Sequence, residues 1–285
     1  MSEVKLVECP RDAMQGIHDF IPTDVKAGYI NRILKCGFDT VDFGSFVSPK
    51  SIPQMRDTAE VLTRLDLSEG SKLLAIVANE RGAAEASTFD EIGVLGFPFS
   101  ISETFQQRNT NSTREESLLR IEEITKIGHR TNKELVVYLS MGFGNPYGDE
   151  WSPETIVEWG RLLHNRYGVS ILALSDTIGA AHPALVKSVF ESCISELPDV
   201  EIGAHLHTIL SNAKALTEAA YQAGCRRFDG AIKGFGGCPM AKDELTGNMP
   251  TELMLEWFDE HEITTGINAA YFDAAMYYAG TVFPV

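Results

Sequence analysis

The sequence predicts an α/β protein: a (β/α)8 TIM barrel in a single domain, residues 1–285, with an extra helix at the C-terminus. Three observations carry that expectation. Eight short apolar runs recur along the chain, nearly continuous rather than alternating, as strands covered on both faces read. Helical patterns with recognisable starts and stops lie between them. No low-complexity linker interrupts the alternation, and 285 residues suffice for one large domain with a substantial core.

The candidate strands are Val4–Glu8, Thr40–Phe43, Leu73–Val77, Gly93–Phe97, Glu134–Leu139, Ser170–Leu174, Glu201–Ala204 and Arg227–Ala231. Thr23 precedes an amphipathic run that ends at Gly37, and Ser112 with Glu115 offers a capping box. Ser152-Pro153 opens another helix, with proline at the first position, where its missing N–H costs nothing. Gly168 and Gly224 follow helical runs, where a glycine is favoured. The segment from Asn268 onward is predicted as the extra helix, covering one end of the barrel. An open doubly wound sheet is the architectural alternative, but no G-x-G-x-x-G follows the first strand.

Composition narrows the function classes. With 44% hydrophobic and 22% charged residues the chain reads as an ordinary globular protein. No apolar run is long enough to cross a membrane, and MSEVKLVECPRD lacks the pattern of a secretion signal, so a cytoplasmic protein is expected. A net charge of −16 leaves no excess of cations to neutralise phosphates, which makes nucleic acid an unsuitable partner. An anionic small molecule would need a local device, such as a metal or a few placed arginines. Five scattered cysteines, Cys9, Cys36, Cys193, Cys225 and Cys238, fit reduced thiols better than a disulfide framework.

A barrel places function at the C-terminal ends of its strands, so the polar residues there are the candidates. Arg11, Asp12 and Gln15 follow the first strand. Asp42 lies in the second, Asn79 after the third, Asp176 after the sixth, and His205 and His207 at the seventh. The glycine-rich stretch GFGGCPMAKDELTGN, with Cys238 and Asn248, follows the eighth.

His205-x-His207 is the sharpest local signal, because residues i and i+2 of a strand share a face and both imidazoles can reach one ion. Alone it reads equally well as a hydrogen-bonded pair. A carboxylate at another strand end, Asp12, shifts the balance toward a divalent ion with open positions. Arg11 can stabilise negative charge developing on a carbonyl oxygen, with Asp42 holding it in place. Asp176 either orients a ligand or Arg11, or caps the segment after it. Cys238, in a loop between glycines and a proline, is a catalytic acid, a nucleophile or an incidental thiol.

These residues, in this order, resemble the metal-dependent barrel enzymes that cleave or form carbon–carbon bonds, within them the hydroxymethylglutaryl-CoA lyase family. The resemblance covers nearly the whole chain through PRDAMQ (10–15), SFVSPKSIPQM (45–55), SETFQQRN (102–109), SDTIG (175–179), HLH (205–207) and GGCPMA (236–241). It implies that Asp12, His205, His207 and Asn248 bind Mg2+ or Mn2+. It implies further that Arg11, supported by Asp42, stabilises a thioester enolate which Cys238 helps to protonate. The implied reaction is retro-Claisen cleavage of a 3-hydroxyacyl-CoA to acetyl-CoA and acetoacetate, with Asp12 or His205 as base. Gln15, Asn79 and Ser45 are expected on the substrate, Asp176 among the catalytic residues, and a homodimer as the assembly. Family members read PRDGLQNE with a lysine soon after, whereas this chain reads PRDAMQGIHDF, and its stretch from Cys238 to Asn248 is one residue longer. The rival readings are a lyase for another acyl-CoA or a free 3-hydroxy acid, and a silent metabolite-binding barrel.

Overall fold

The computed structural model describes residues 3–237 and 246–283. Eight parallel strands follow in order: β1 (Lys5–Glu8), β2 (Thr40–Ser45), β3 (Lys72–Ile76), β4 (Ile92–Ser100), β5 (Glu134–Ser140), β6 (Ile171–Asp176), β7 (Glu201–Thr208) and β8 (Arg227–Gly230). Each pairs with its successor, and β8 pairs with β1 from Lys5↔Arg227 to Glu8↔Gly230, which closes the barrel. All eight predicted strands are therefore present. Five of them, β2, β4, β5, β6 and β7, run one to four residues beyond their apolar runs. Those extensions carry Ser45, Ser100, Ser140, Ser175, Asp176, His205, His207 and Thr208 to the barrel mouth, polar residues that an apolar criterion cuts off.

The outer layer follows the alternation: α2 (Thr23–Leu34), α3 (Thr58–Leu62), α4 (Glu80–Ala86), α6 (Arg114–Thr131), α7 (Pro153–Tyr167), α8 (Pro183–Glu196), α9 (Ala213–Gln222) and α10 (Thr251–Glu260). Two short helices sit at the mouth instead, α1 (Pro10–Gln15) after β1 and α5 (Glu103–Thr110) after β4. Helix ends obey local chemistry. Ser152 accepts from the Thr155 N–H, and Gly168 closes α7 at φ 72°. The capping box of α6 is Thr113 with Glu116, one residue later than expected. Ser112 is buried instead, its hydroxyl bonded to those of Thr110 and Ser117. Thr23 is the first helical residue of α2 rather than its cap, and its hydroxyl donates to Asp57.

The C-terminal helix α11 (Ala269–Val282) exists, but it lies along the outside of α2 and not across a barrel end. The Asn268 N–H donates to the Cys36 carbonyl at the foot of α2. Arg32 stacks 3.8 Å from the Tyr278 ring centroid, and Phe283 meets Tyr29 edge-on. The buried face of α11, Phe272, Ala275 and Ala279, packs along α2, and its C-terminal end reaches the turn after β8, where Phe283 stacks on Phe235.

Inside the barrel the lining is divided. Strands β3 to β6 contribute Leu74, Ile76, Val94, Val136, Tyr138, Ile171 and Ala173, an apolar half. Strands β7 and β8 contribute His205 and Asp229 on the same inward face, paired in register, with Arg227 two residues before Asp229. That polar half leads up to the mouth.

Candidate metal centre at the barrel mouth

The site begins where β1 stops. Pro10, with no N–H to lose, starts α1 directly after Cys9. One turn of helix brings residues i, i+3 and i+4 together, so Arg11, Asp12 and Gln15 must meet. Arg11 Nη1 donates to Asp12 Oδ1 and Gln15 Oε1, both at 2.9 Å, and Gln15 Nε2 donates to the same Asp12 oxygen at 2.8 Å. Asp42, at 0% exposure in β2, accepts from Arg11 Nε at 3.0–3.1 Å and from its Nη2. Burial pushes the Asp42 carboxyl up and Arg11 pulls it back, and the two-pronged contact is that of an ion pair. Four of the five guanidinium hydrogens are thereby engaged, and one on Nη2 remains.

Asp12 is the junction. Its Oδ2 accepts from Asn248 Nδ2 at 2.8 Å. Burial works to raise its pKa, but Arg11, His205, His207 and Asn248 outweigh it and hold the group below its ordinary value, as an anion. The ligand atoms of Asp12, His205 and His207 all lie within 4.8 Å of one another. His205 and His207 share one face of β7, as their spacing requires.

The two histidines differ. His205 Nδ1 lies 3.2 Å from Asp229 Oδ2. Burial lowers the His205 pKa, but the bond and charge of Asp229, with Asp12, carry it above its ordinary value. Burial, then the neighbouring His205, push His207 down to about 4, so its ring is neutral with a lone pair available. Among the described residues, neither ring nitrogen of His207 has a partner of normal hydrogen-bond geometry, although the residue is buried.

Asn248 arrives by a device that sequence reading did not anticipate. It lies in a two-residue strand, β9 (Gly247–Asn248), paired antiparallel to His207 and Thr208. Its Nδ2 donates to Asp12 and, at 2.9 Å, to the Phe235 carbonyl, which leaves Oδ1 as a donor atom. The glycine-rich turn presses on α1 at Gly236, with φ +91°; a Cβ there would lie 2.7 Å from Asn248 Nδ2 and 2.9 Å from the Asp12 carbonyl oxygen.

One anionic carboxylate, one orphaned neutral imidazole, a second imidazole and an amide oxygen form a donor set that fits a divalent metal ion. A buried histidine with both nitrogens unsatisfied would be costly in any other setting.

The remaining predicted residues are placed as follows. Asp176, at the end of β6, accepts from the N–H groups of Ala180 and Ala181 at 3.0 and 2.8 Å, so it caps its own loop. Asn79 is exposed and caps α4 by accepting from the Gly82 N–H. Ser45, at the end of β2, accepts from Val47 N–H and donates weakly to the Ile76 carbonyl. Cys238 lies outside the described residues. Sequence reasoning missed Asp229; the signal was an acid inside an otherwise apolar run, FDGA, on the strand next to HLH.

Known proteins similar to this chain share one family description. The HMGL-like family model matches residues 3–276. The human cytoplasmic 3-hydroxy-3-methylglutaryl-CoA lyase is 34% identical over 268 residues, 93% of this chain and 71% of that protein. A hydroxymethylglutaryl-CoA lyase of Bacillus subtilis is 34% identical over 260 residues, 90% of this chain and 85% of its own length. The structure of an HMG-CoA lyase from Acinetobacter baumannii, in complex with coenzyme A and 3-methylmalate, superimposes with a TM-score of 0.90 at 28% identity, covering 98% of this chain and 90% of that one.

Proposed function

The chain belongs to the HMGL-like family, and from that premise we propose that it is a carbon–carbon lyase. Its substrate in this reading is 3-hydroxy-3-methylglutaryl-CoA or a related 3-hydroxyacyl-CoA, and its products are acetyl-CoA and acetoacetate or their analogues. The observation that carries it is the junction of two devices at one mouth. Arg11 is immobilised by Asp42 and Gln15, beside the converging Asp12, His205 and His207.

Asp12, His205, His207 and Asn248 would hold Mg2+ or Mn2+, which when bound supplies a Lewis-acid grip on the substrate's tertiary hydroxyl and a neighbouring carbonyl or carboxylate oxygen. In the cleavage that hydroxyl loses its proton. The bond from the carbinol carbon to the carbon next to the thioester breaks, its electron pair passing to the thioester as an enolate. Arg11 takes up that charge through its remaining Nη2 hydrogen, without reorganising, because every other hydrogen is already fixed. Asp12 is a poor proton acceptor, since Arg11, Gln15 and Asn248 already donate to it. His205 Nε2 is therefore the remaining acceptor for that proton, a role open to it only while that nitrogen does not hold the ion. The enolate carbon then takes a proton, the task assigned to Cys238.

The same reading makes the enzyme a cytoplasmic homodimer. Among the described residues, no helix is long and apolar enough to cross a membrane.

The test is acetoacetate release from 3-hydroxy-3-methylglutaryl-CoA with Mg2+ or Mn2+ and a reductant. Turnover should vanish with chelator and fall about 10²- to 10³-fold in Arg11→Ala, with the circular dichroism unchanged. Silence from folded, metal-loaded native protein would overturn the substrate. Near-native rates in Arg11→Ala would overturn the enolate role.

A further inference from the structure

We infer that Asp229 is a positioning residue of the site, a buried carboxylate inside the barrel that fixes which nitrogen His205 presents at the mouth. The inference rests on the reading of Asp12, His205 and His207 as an ion site.

Asp229 sits opposite His205 in the β7–β8 register, and its side chain is 1% exposed. Its Oδ2 lies 3.2 Å from His205 Nδ1. A carboxylate only accepts, so the contact requires the hydrogen on Nδ1, and in a neutral ring Nε2 is then bare. A bare Nε2 is what His205 needs in order to hold an ion or to take a proton. The Tyr138 ring packs edge-on against His205 at 5.1 Å between centroids.

Stability does not account for an acid at this position. Desolvating a carboxylate costs several kcal/mol unless its oxygens are well paired. Here Oδ1 has no partner, and neither do Arg227 Nε and Nη2 or the Tyr138 hydroxyl around it. Arg227, two residues earlier on the same inward face, supplies opposite charge. Among the described residues, the single side-chain bond that Asp229 makes goes to the histidine. An acid kept at such cost for one bond, to a ring at the ligand cluster, is the pattern of a carboxylate that orients a metal-binding histidine.

Asparagine tests this closely, because its amide can donate to Nδ1 and drive the hydrogen to Nε2, where it blocks the donor atom. The probe is Mn2+ added to the whole apo-protein, with free Mn2+ read by electron paramagnetic resonance and the His205 tautomer by 15N NMR. Asp229→Asn should weaken Mn2+ binding about 10- to 100-fold and move the His205 hydrogen from Nδ1 to Nε2, with the melting temperature nearly unchanged. His205→Ala sets the floor expected from outright loss of a ligand. An Asp229→Asn protein with native Mn2+ affinity and the native tautomer overturns the inference. Native protein that binds no Mn2+, or a His205→Ala protein that binds it normally, overturns the ion-site reading instead. The tautomer measurement then still decides whether Asp229 governs His205.

Discussion

Two buried acids beside the site are set to opposite charge states, Asp12 by its partners and Glu8 by burial. Asp12 is surrounded by donors and held as an anion. Glu8, fully buried on the outward face of β1, is pushed up to about 8 by burial, against hydrogen bonds from Thr251 and Ile232. Its oxygens accept from the Ile232 N–H at 2.8 Å and the Thr251 hydroxyl at 2.6 Å, so it ties β1 to the turn that leads into the glycine-rich stretch. The folded chain binds this proton more tightly than the unfolded chain, whose glutamate titrates at its ordinary, lower value. The contribution to stability is thus complete at low pH and is lost as pH rises through about 8. The native melting temperature should fall between pH 5 and 9. Glu8→Gln should flatten that fall, by an amount on the order of a few kcal/mol. Melting curves across that range decide it: an unchanged slope in the glutamine variant would assign the titration to another group.

At the scale of elements, the site depends on two that are too short to read locally. Helix α1 has six residues, and its polar face, Arg11, Asp12 and Gln15, looks like a loop until the partners on β2 and β9 are known. Strand β9 has two residues and exists because His207 and Thr208 offer an edge for it. The eight barrel strands and the capped helix α7 were legible because each is fixed by its own residues: continuous apolar runs, Ser152 at the start and Gly168 at the end. Histidine spacing gave the His205–His207 pair, while the place of Asn248 came through resemblance and Asp229 was not found. Both depend on register between strands far apart in sequence. Gly236 is where α1 and the turn touch, and it makes the next prediction. Gly236→Ala adds a Cβ within 3 Å of Ala13, Asp12 and Asn248, at a φ that disfavours side chains. The turn must lift from α1 and take Asn248 with it. Mn2+ affinity and kcat should each fall about tenfold or more, for a stability loss of only about 1–3 kcal/mol. Native affinity in this variant would show that the turn can yield without moving Asn248.

At the scale of the whole molecule, the fold solves positioning but leaves an electrostatic problem. The chain carries a net charge of −16, and the proposed substrate is a polyanion. Arg11 cannot attract it from a distance, because Asp12 and Asp42 already neutralise that guanidinium. At ~0.01 M salt the screening length is about 30 Å, comparable to the radius of a barrel, so the approaching thioester feels the protein's overall charge. At ~0.15 M it is about 8 Å, and only groups at the mouth matter. Added salt should therefore raise kcat/KM severalfold across that range, through KM, while kcat stays constant because the immobilised Arg11 pair is shielded from solvent. The measurement needs the divalent ion held saturating and constant while sodium chloride varies. If kcat/KM falls with salt instead, cations at the mouth must steer the substrate despite the net charge. Residues 16–21, directly after α1, would then be the first place to test by substitution.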